Sequence, residues 1–205
     1  ADPCIARPLE VLFPSVARVQ VLPPALASQI AAGEVVERPA SAVKELIENA
    51  LDAGAERCDI TCDGGGVTRV CVADDGEGMS TEDARLSLER HATSKLRTID
   101  DLTHIESYGF RGEALPSIAS VSRLKLRTRQ RGKADGVLVE AEAGAEPRVT
   151  PAGVPVGTSV EVCDLFFNVP ARRKFLRSTG TESSHVTNVV EGAALTRPNI
   201  TFTLT

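Results

Sequence analysis

The chain has 205 residues, 42% apolar and 25% charged, and its 23 Lys plus Arg against 28 Asp plus Glu give a net charge of −5. This is the balance of a folded globular chain, and it excludes a disordered tail, a collagen-like repeat and a disulfide-dense miniprotein. Mild acidity speaks against a free-standing nucleic-acid-binding module, and aromatics at 3%, with no Trp, leave no platform for stacking bare bases.

Residues 1–17 scatter their charges and hold no apolar h-region, so they read as an N-terminal extension rather than a secretory signal. The first helix is predicted over 26–37, stopped by Arg38-Pro39. A second begins at Pro39, which suits a first helical turn, and ends at Gly54. Its apolar stripe is Val43, Leu46, Ile47, Ala50 and Leu51, and its other face carries Glu45, Glu48, Asn49 and Asp52. Period-two runs at 58–62 and 67–73 flank a Gly-rich turn and predict a β-hairpin. Ser80 with Asp83 marks a capping box opening a helix that runs to about residue 91. Residues 92–112 carry no period, as a functional lid would. A short helix is predicted at 113–120, strands at 121–129, 135–141 and 157–163, helices at 169–177 and 182–196, and a strand at the end, NITFTLT. The order mixes helices with antiparallel hairpins, so the fold class is α+β, with helices on one face of a mixed sheet.

The five cysteines are irregularly spaced and read as reduced thiols of a cytoplasmic protein. Cys58 and Cys62 fall on one face of a strand, and the three histidines supply no matching pair of ligands for zinc. No apolar run is long enough to span a membrane.

Four clusters could carry chemistry. Glu45 and Asn49, four apart, are neighbours on a helix. The carboxylate can orient and deprotonate a water, and the amide oxygen can help hold a Mg²⁺ that takes its other ligands from phosphate and water. Asp74-x-Gly76-x-Gly78 ends an apolar strand, where a carboxylate can accept from the exocyclic amino group of adenine and the glycines let backbone approach a flat ring. His91-Ala92-Thr93-Ser94-Lys95 places hydroxyls and an ammonium on a loop. Gly109-Phe110-Arg111-Gly112-Glu113-Ala114-Leu115 precedes a helix, and its converging N–H groups suit a triphosphate. Each reads equally as a solvated face, a strand-to-helix turn or a hinge; their order along the chain carries the weight. Arg123, Lys125, Arg127, Arg129, Arg131 and Lys133 alternate along a predicted strand, and Arg172, Arg173, Lys174 and Arg177 cluster further on. Either group is a solvated face or a sequence-independent contact with DNA phosphate.

The strings QVLPPALASQIAAGEVVERPASAVKELIENALDAGA, DDGEGM, RHATSK, GFRGEAL and GTSVEVCDLFFNVPARRKFL resemble the GHKL ATPases and, within them, the MutL mismatch-repair family, over residues 18–205. The resemblance implies a Bergerat-type sandwich over 18–200, with the second, transducer subdomain beginning at 201–205. It implies ATP and Mg²⁺ as cofactors and Glu45 as general base, with Asn49 on the metal. Asp74 would hold the adenine amino group in a pocket shaped by Gly76 and Gly78. Thr93, Ser94, Lys95 and the amides of 109–115 would close over the phosphates, and Thr158 would add a hydroxyl near the base. Asp75 stands where the family more often has Asn, between the two matched positions, and is not expected to alter nucleotide binding. The family's lysine for the γ-phosphate, its C-terminal dimerisation domain and the endonuclease site of some members are expected outside these residues. The implied activity is a slow ATPase that orders its lid and dimerises on ATP, engaging the mismatch-recognition protein MutS, a downstream nuclease or helicase, and DNA. Gln20 to Pro24 would join that dimer surface. The other readings are a gyrase-type or chaperone-type ATPase, a histidine kinase domain without its phosphoacceptor helix, or a fragment that binds nucleotide without activity of its own.

Overall fold

The structure is a computed structural model and describes residues 20–90, 92, 112–143 and 145–205. Proline and glycine bound the first two helices. α1 (Pro24–Val35) starts two residues before the predicted boundary because Pro24 sits in the first turn, where its missing N–H is no loss. α2 (Pro39–Asp52) begins at Pro39 as predicted, and Gly54 turns the chain away at φ +69°. Ala42, Val43, Leu46, Ile47 and Ala50 form its buried stripe.

β1 (Arg57–Asp63), a 3-10 turn over Gly64–Gly66 and β2 (Arg69–Asp74) form the expected hairpin. α3 (Thr81–Leu86) carries the expected cap, Ser80 Oγ accepting from Asp83 N at 3.1 Å. It is shorter than the period suggests: beyond Ser87 the backbone bonds tighten to i→i−3 turns, Leu88 N donating to Arg85 O and Glu89 N to Leu86 O. α4 (Ala114–Ser120), β3 (Arg123–Arg129), β4 (Gly136–Glu142) and β6 (Gly157–Cys163) lie close to their predicted positions. β5 (Arg148–Ala152) was not expected. Among the described residues it pairs with β4 alone, at the edge of the sheet, and Pro151 is tolerated there because an edge strand has N–H positions with no ladder partner. α5 (Pro170–Phe175) is followed by α6 (Thr179–Thr196), which opens earlier than predicted behind the Ser178 cap. Buried Glu182, in its first turn, accepts from Arg177 N and lies 4.0 Å from Arg38, which ties α6 to the start of α2. β7 (Thr201–Leu204) closes the chain beside β1.

The seven strands lie in the order β5-β4-β3-β6-β2-β1-β7. Every pairing is antiparallel except that of β1 with β7, and the helices pack on one face, as the composition of the elements predicts. On that face the register aligns residues in rows across the strands. One row is Leu124, Val162 and Val70; the next is Leu126, Val160, Val72 and Ile60. All are buried, and each contributes roughly 1.5–3 kcal/mol by leaving water. Among the described residues, no helix is long and apolar enough to cross a membrane.

Candidate functional site

The third row is polar. Thr128 on β3, Thr158 on β6 and Asp74 on β2 stand side by side in register, where two apolar rows precede them. Asp74 Oδ1 accepts from Gly76 N at 2.9 Å and from Thr158 N at 3.3 Å. Burial pushes the Asp74 carboxyl above its usual range; the two backbone N–H groups oppose this, and the charge of Asp75 adds to it. Cys58, next to Asp74 in register, has its thiol pushed up to about 12 by burial and then by the charge of Asp74. Thr128 is 0% exposed. Its hydroxyl accepts from Met79 N at 2.9 Å, donates to Gly157 O at 3.0 Å and lies 3.0 Å from the Thr158 hydroxyl.

The turn after Asp74 is clamped from three sides. Glu77 N donates to Ala53 O at the end of α2, and Arg131 N donates to Glu77 O. Asp75 Oδ1 accepts from Glu56 N at 2.8 Å and from Arg57 N at 2.9 Å, so its carboxylate fixes the start of β1. The amide oxygen of an Asn can accept the same two bonds, so the departure at Asp75 leaves this geometry intact. The glycines answer to the protein's own backbone. A Cβ on Gly76 would meet Ala53 O at 2.7 Å, and Gly78, at φ +68°, has no room for one against Arg129 O. The space that a side chain would need at these two positions is filled by Ala53 and Arg129.

Gly76 packs on Ala53, which places the turn at the C-terminal end of α2. Asn49 and Glu45 stand four and eight residues before Ala53, on one stripe, about 6 and 12 Å back along the axis. Both are half-buried. The stripe therefore starts at the Asp74 end and runs from an amide to a carboxylate. Among the described residues, no group of three or more His, Cys, Asp and Glu could hold a metal by itself. A single amide oxygen beside a carboxylate fits a cation that draws most of its ligands from phosphate and water, as Mg²⁺ does. Gly112, at φ +62°, and Glu113 lead into α4, whose first residues are Ala114 and Leu115. Thr93, Ser94, Lys95, Gly109, Phe110 and Arg111 lie outside the described residues, as does His91.

Sequence reasoning passed over Thr128, although a signal was present. Inward positions of β3 read Leu124, Leu126, Thr128; those of β2 read Val70, Val72, Asp74; those of β6 read Val162, Val160, Thr158. Three neighbouring strands break their apolar alternation at the same end of the sheet. The structure also places the basic groups. Arg123, Lys125, Arg127 and Arg129 share a strand as expected, and two of the four are ion-paired, Arg123 with Glu142 and Asp164 and Lys125 with Glu140. Arg131 and Lys133 lie beyond the strand. Arg172 leaves the second cluster: its guanidinium fills the space where Gly33 has no side chain and donates to Val36 O at 3.1 Å.

Residues 37–146 match the family model described as histidine kinase-, DNA gyrase B- and HSP90-like ATPase. The chain is 58% identical over 187 residues to the DNA mismatch repair protein MutL of Anaeromyxobacter sp. strain K, covering 91% of this chain and 31% of that protein. It is 52% identical to the MutL of Neisseria meningitidis serogroup A, covering 91% of this chain and 28% of that protein. The chain thus spans under a third of the length of these relatives. Among solved structures it resembles the Aquifex aeolicus MutL ATPase domain complexed with ADP, with a TM-score of 0.63 and 38% identity, covering 83% of this chain and 60% of that one. It also resembles the N-terminal domain of a DNA repair protein, with a TM-score of 0.72 and 26% identity, covering 87% and 51%.

Proposed function

Given that this chain belongs to the histidine kinase-, DNA gyrase B- and HSP90-like ATPases and carries that domain in its MutL form, we propose that it is the ATP-driven switch of a DNA mismatch repair protein. One observation carries the reading: the polar row of Thr128, Thr158 and Asp74 meets the end of the α2 stripe of Ala53, Asn49 and Glu45.

In this reading the adenine lies at the C-terminal end of α2. Both hydrogen bonds that Asp74 makes among the described residues go to Oδ1, which leaves Oδ2 to accept from the exocyclic amino group. The phosphates extend along α2, where the amide oxygen of Asn49 helps hold Mg²⁺. The cation supplies charge neutralisation at the phosphate oxygens. Glu45 orients a water against the terminal phosphate and takes its proton as the new P–O bond forms and ADP leaves. Thr93, Ser94, Lys95 and the 109–115 amides are assigned to the phosphates in this reading.

Val21 and Leu22, with Leu26 and Ile30 one helical turn apart on α1, are exposed. A contiguous apolar edge of this kind supports homodimer formation through the N-terminal segment when ATP binds. Engagement of MutS, of a downstream nuclease or helicase and of DNA, in the cytoplasm, completes the proposal. The test is calorimetry with a non-hydrolysable ATP analogue and Mg²⁺. Saturable binding that Asp74→Asn weakens is expected, and a flat titration of the wild-type chain would refute the site.

A further inference from the structure

Resting on the reading that adenine sits on Asp74, we propose that Thr128 is a positioning residue that sets selectivity for adenine over guanine by fixing the direction of the Thr158 hydroxyl. A threonine hydroxyl has one hydrogen and two lone pairs. Thr128 is wholly buried, and all three are assigned by its neighbours. The Gly157 carbonyl oxygen, 3.0 Å away, can only accept, so it takes the Thr128 hydrogen. Met79 N–H, at 2.9 Å, can only donate, so it takes one lone pair. The second lone pair is left for Thr158 Oγ1 at 3.0 Å, and Thr158 must be the donor in that contact.

The consequence falls on the half-buried side of Thr158 that faces the site. With its hydrogen committed to Thr128, Thr158 presents only lone pairs, beside a carboxylate that also only accepts. A floor made of acceptors suits the 6-amino group of adenine, or a water donating to it. A 6-keto oxygen meets acceptors alone, and no hydroxyl can turn to meet it. Thr128 touches no ligand in this scheme and acts through Thr158. The same hydroxyl joins the turn that follows Asp74, through Met79 N, to the strand that carries Thr158, through Gly157 O, so the two walls of the base site keep one spacing.

The test compares ADP with GDP by calorimetry on the wild-type chain, Thr128→Val and Thr128→Ser. Valine keeps the shape and removes the hydroxyl, freeing the Thr158 hydrogen; serine keeps the hydroxyl. The ADP-to-GDP affinity ratio is expected to fall about tenfold in Thr128→Val and to return in Thr128→Ser. A ratio is insensitive to a uniform loss of folded protein. Thr128→Cys, a weak hydrogen-bonding group of similar bulk, serves as the second variant should valine unfold the chain, and the same fall is expected. Discrimination equal to wild type in the valine or cysteine variant overturns the role of Thr128 and leaves the adenine site standing. A wild-type chain that binds neither nucleotide overturns the adenine site and this role with it.

Discussion

The two faces of the sheet treat polar side chains in opposite ways. On the bare face, Arg69 bridges Asp63 and Glu161, Arg123 meets Glu142, Lys125 meets Glu140 and Arg57 meets Asp59. These pairs are exposed or half-exposed, screened by water, and worth little individually. On the helix-covered face, the inward positions of β2, β3 and β6 turn polar at one end, and there Asp74 and Thr128 are held by the backbone hydrogen bonds that burial demands. A polar residue on the open face is the default state of a solvated surface. The same residue type in line with two apolar rows is costly to fold, and it marks the site.

The largest expected break of this contrast is on the covered face. Glu45→Ala should lower ATP turnover by roughly 10²- to 10⁴-fold in the full-length protein, read as phosphate release, with nucleotide binding retained. Asp74→Asn comes next. The amide oxygen still accepts from Gly76 N and Thr158 N, and the buried charge is gone, so the melting temperature without ligand should not fall, while the upward shift produced by adenine nucleotide disappears. Acidification reports the same group: burial raises the Asp74 value, so its carboxylate is lost as pH falls through a point above the ordinary 3.8. Nucleotide affinity should decline there, earlier than for an ordinary aspartate. The ligand-free fold moves the other way, since a group that holds its proton more tightly when folded favours folding as it protonates. Gly78→Ala forces a side chain into positive φ against Arg129 O and should cost about 2 kcal/mol or more in a urea melt. On the bare face the effects should nearly vanish: Lys125→Ala or Glu140→Ala should change stability by less than about 1 kcal/mol and leave nucleotide titrations unmoved.

Much of this was legible in the residues. Pro39 and Gly54 bounded α2, Ser80 and Asp83 capped α3, and Gly-rich turns separated the hairpin strands, because these signals act over three or four residues. Glu45, Asn49 and Asp74 could be singled out because E-x-x-x-N and D-x-G-x-G are local patterns. β5 escaped because an edge strand containing Pro151 has no alternation to read. The basic run left two readings open for a related reason: the acidic partners of Arg123 and Lys125 lie on β4 and in the turn after β6, 15 to 41 residues away in sequence. Arg172 shows the same limit, since nothing near it in the chain announces that its guanidinium ends beneath Gly33.

By itself, then, the sequence determined the helices and the hairpin and singled out the groups proposed to handle a nucleotide, since helical period, strand alternation and capping are properties of neighbouring residues. It did not determine that Thr128 would stand beside Thr158 and Asp74, nor that the glycines of the turn would answer to Ala53 and Arg129. Those are outcomes of register between strands and of the height at which α2 meets the sheet. They are fixed by the burial of two apolar rows, which allow no sliding, and the polar row at their end is carried into place with them.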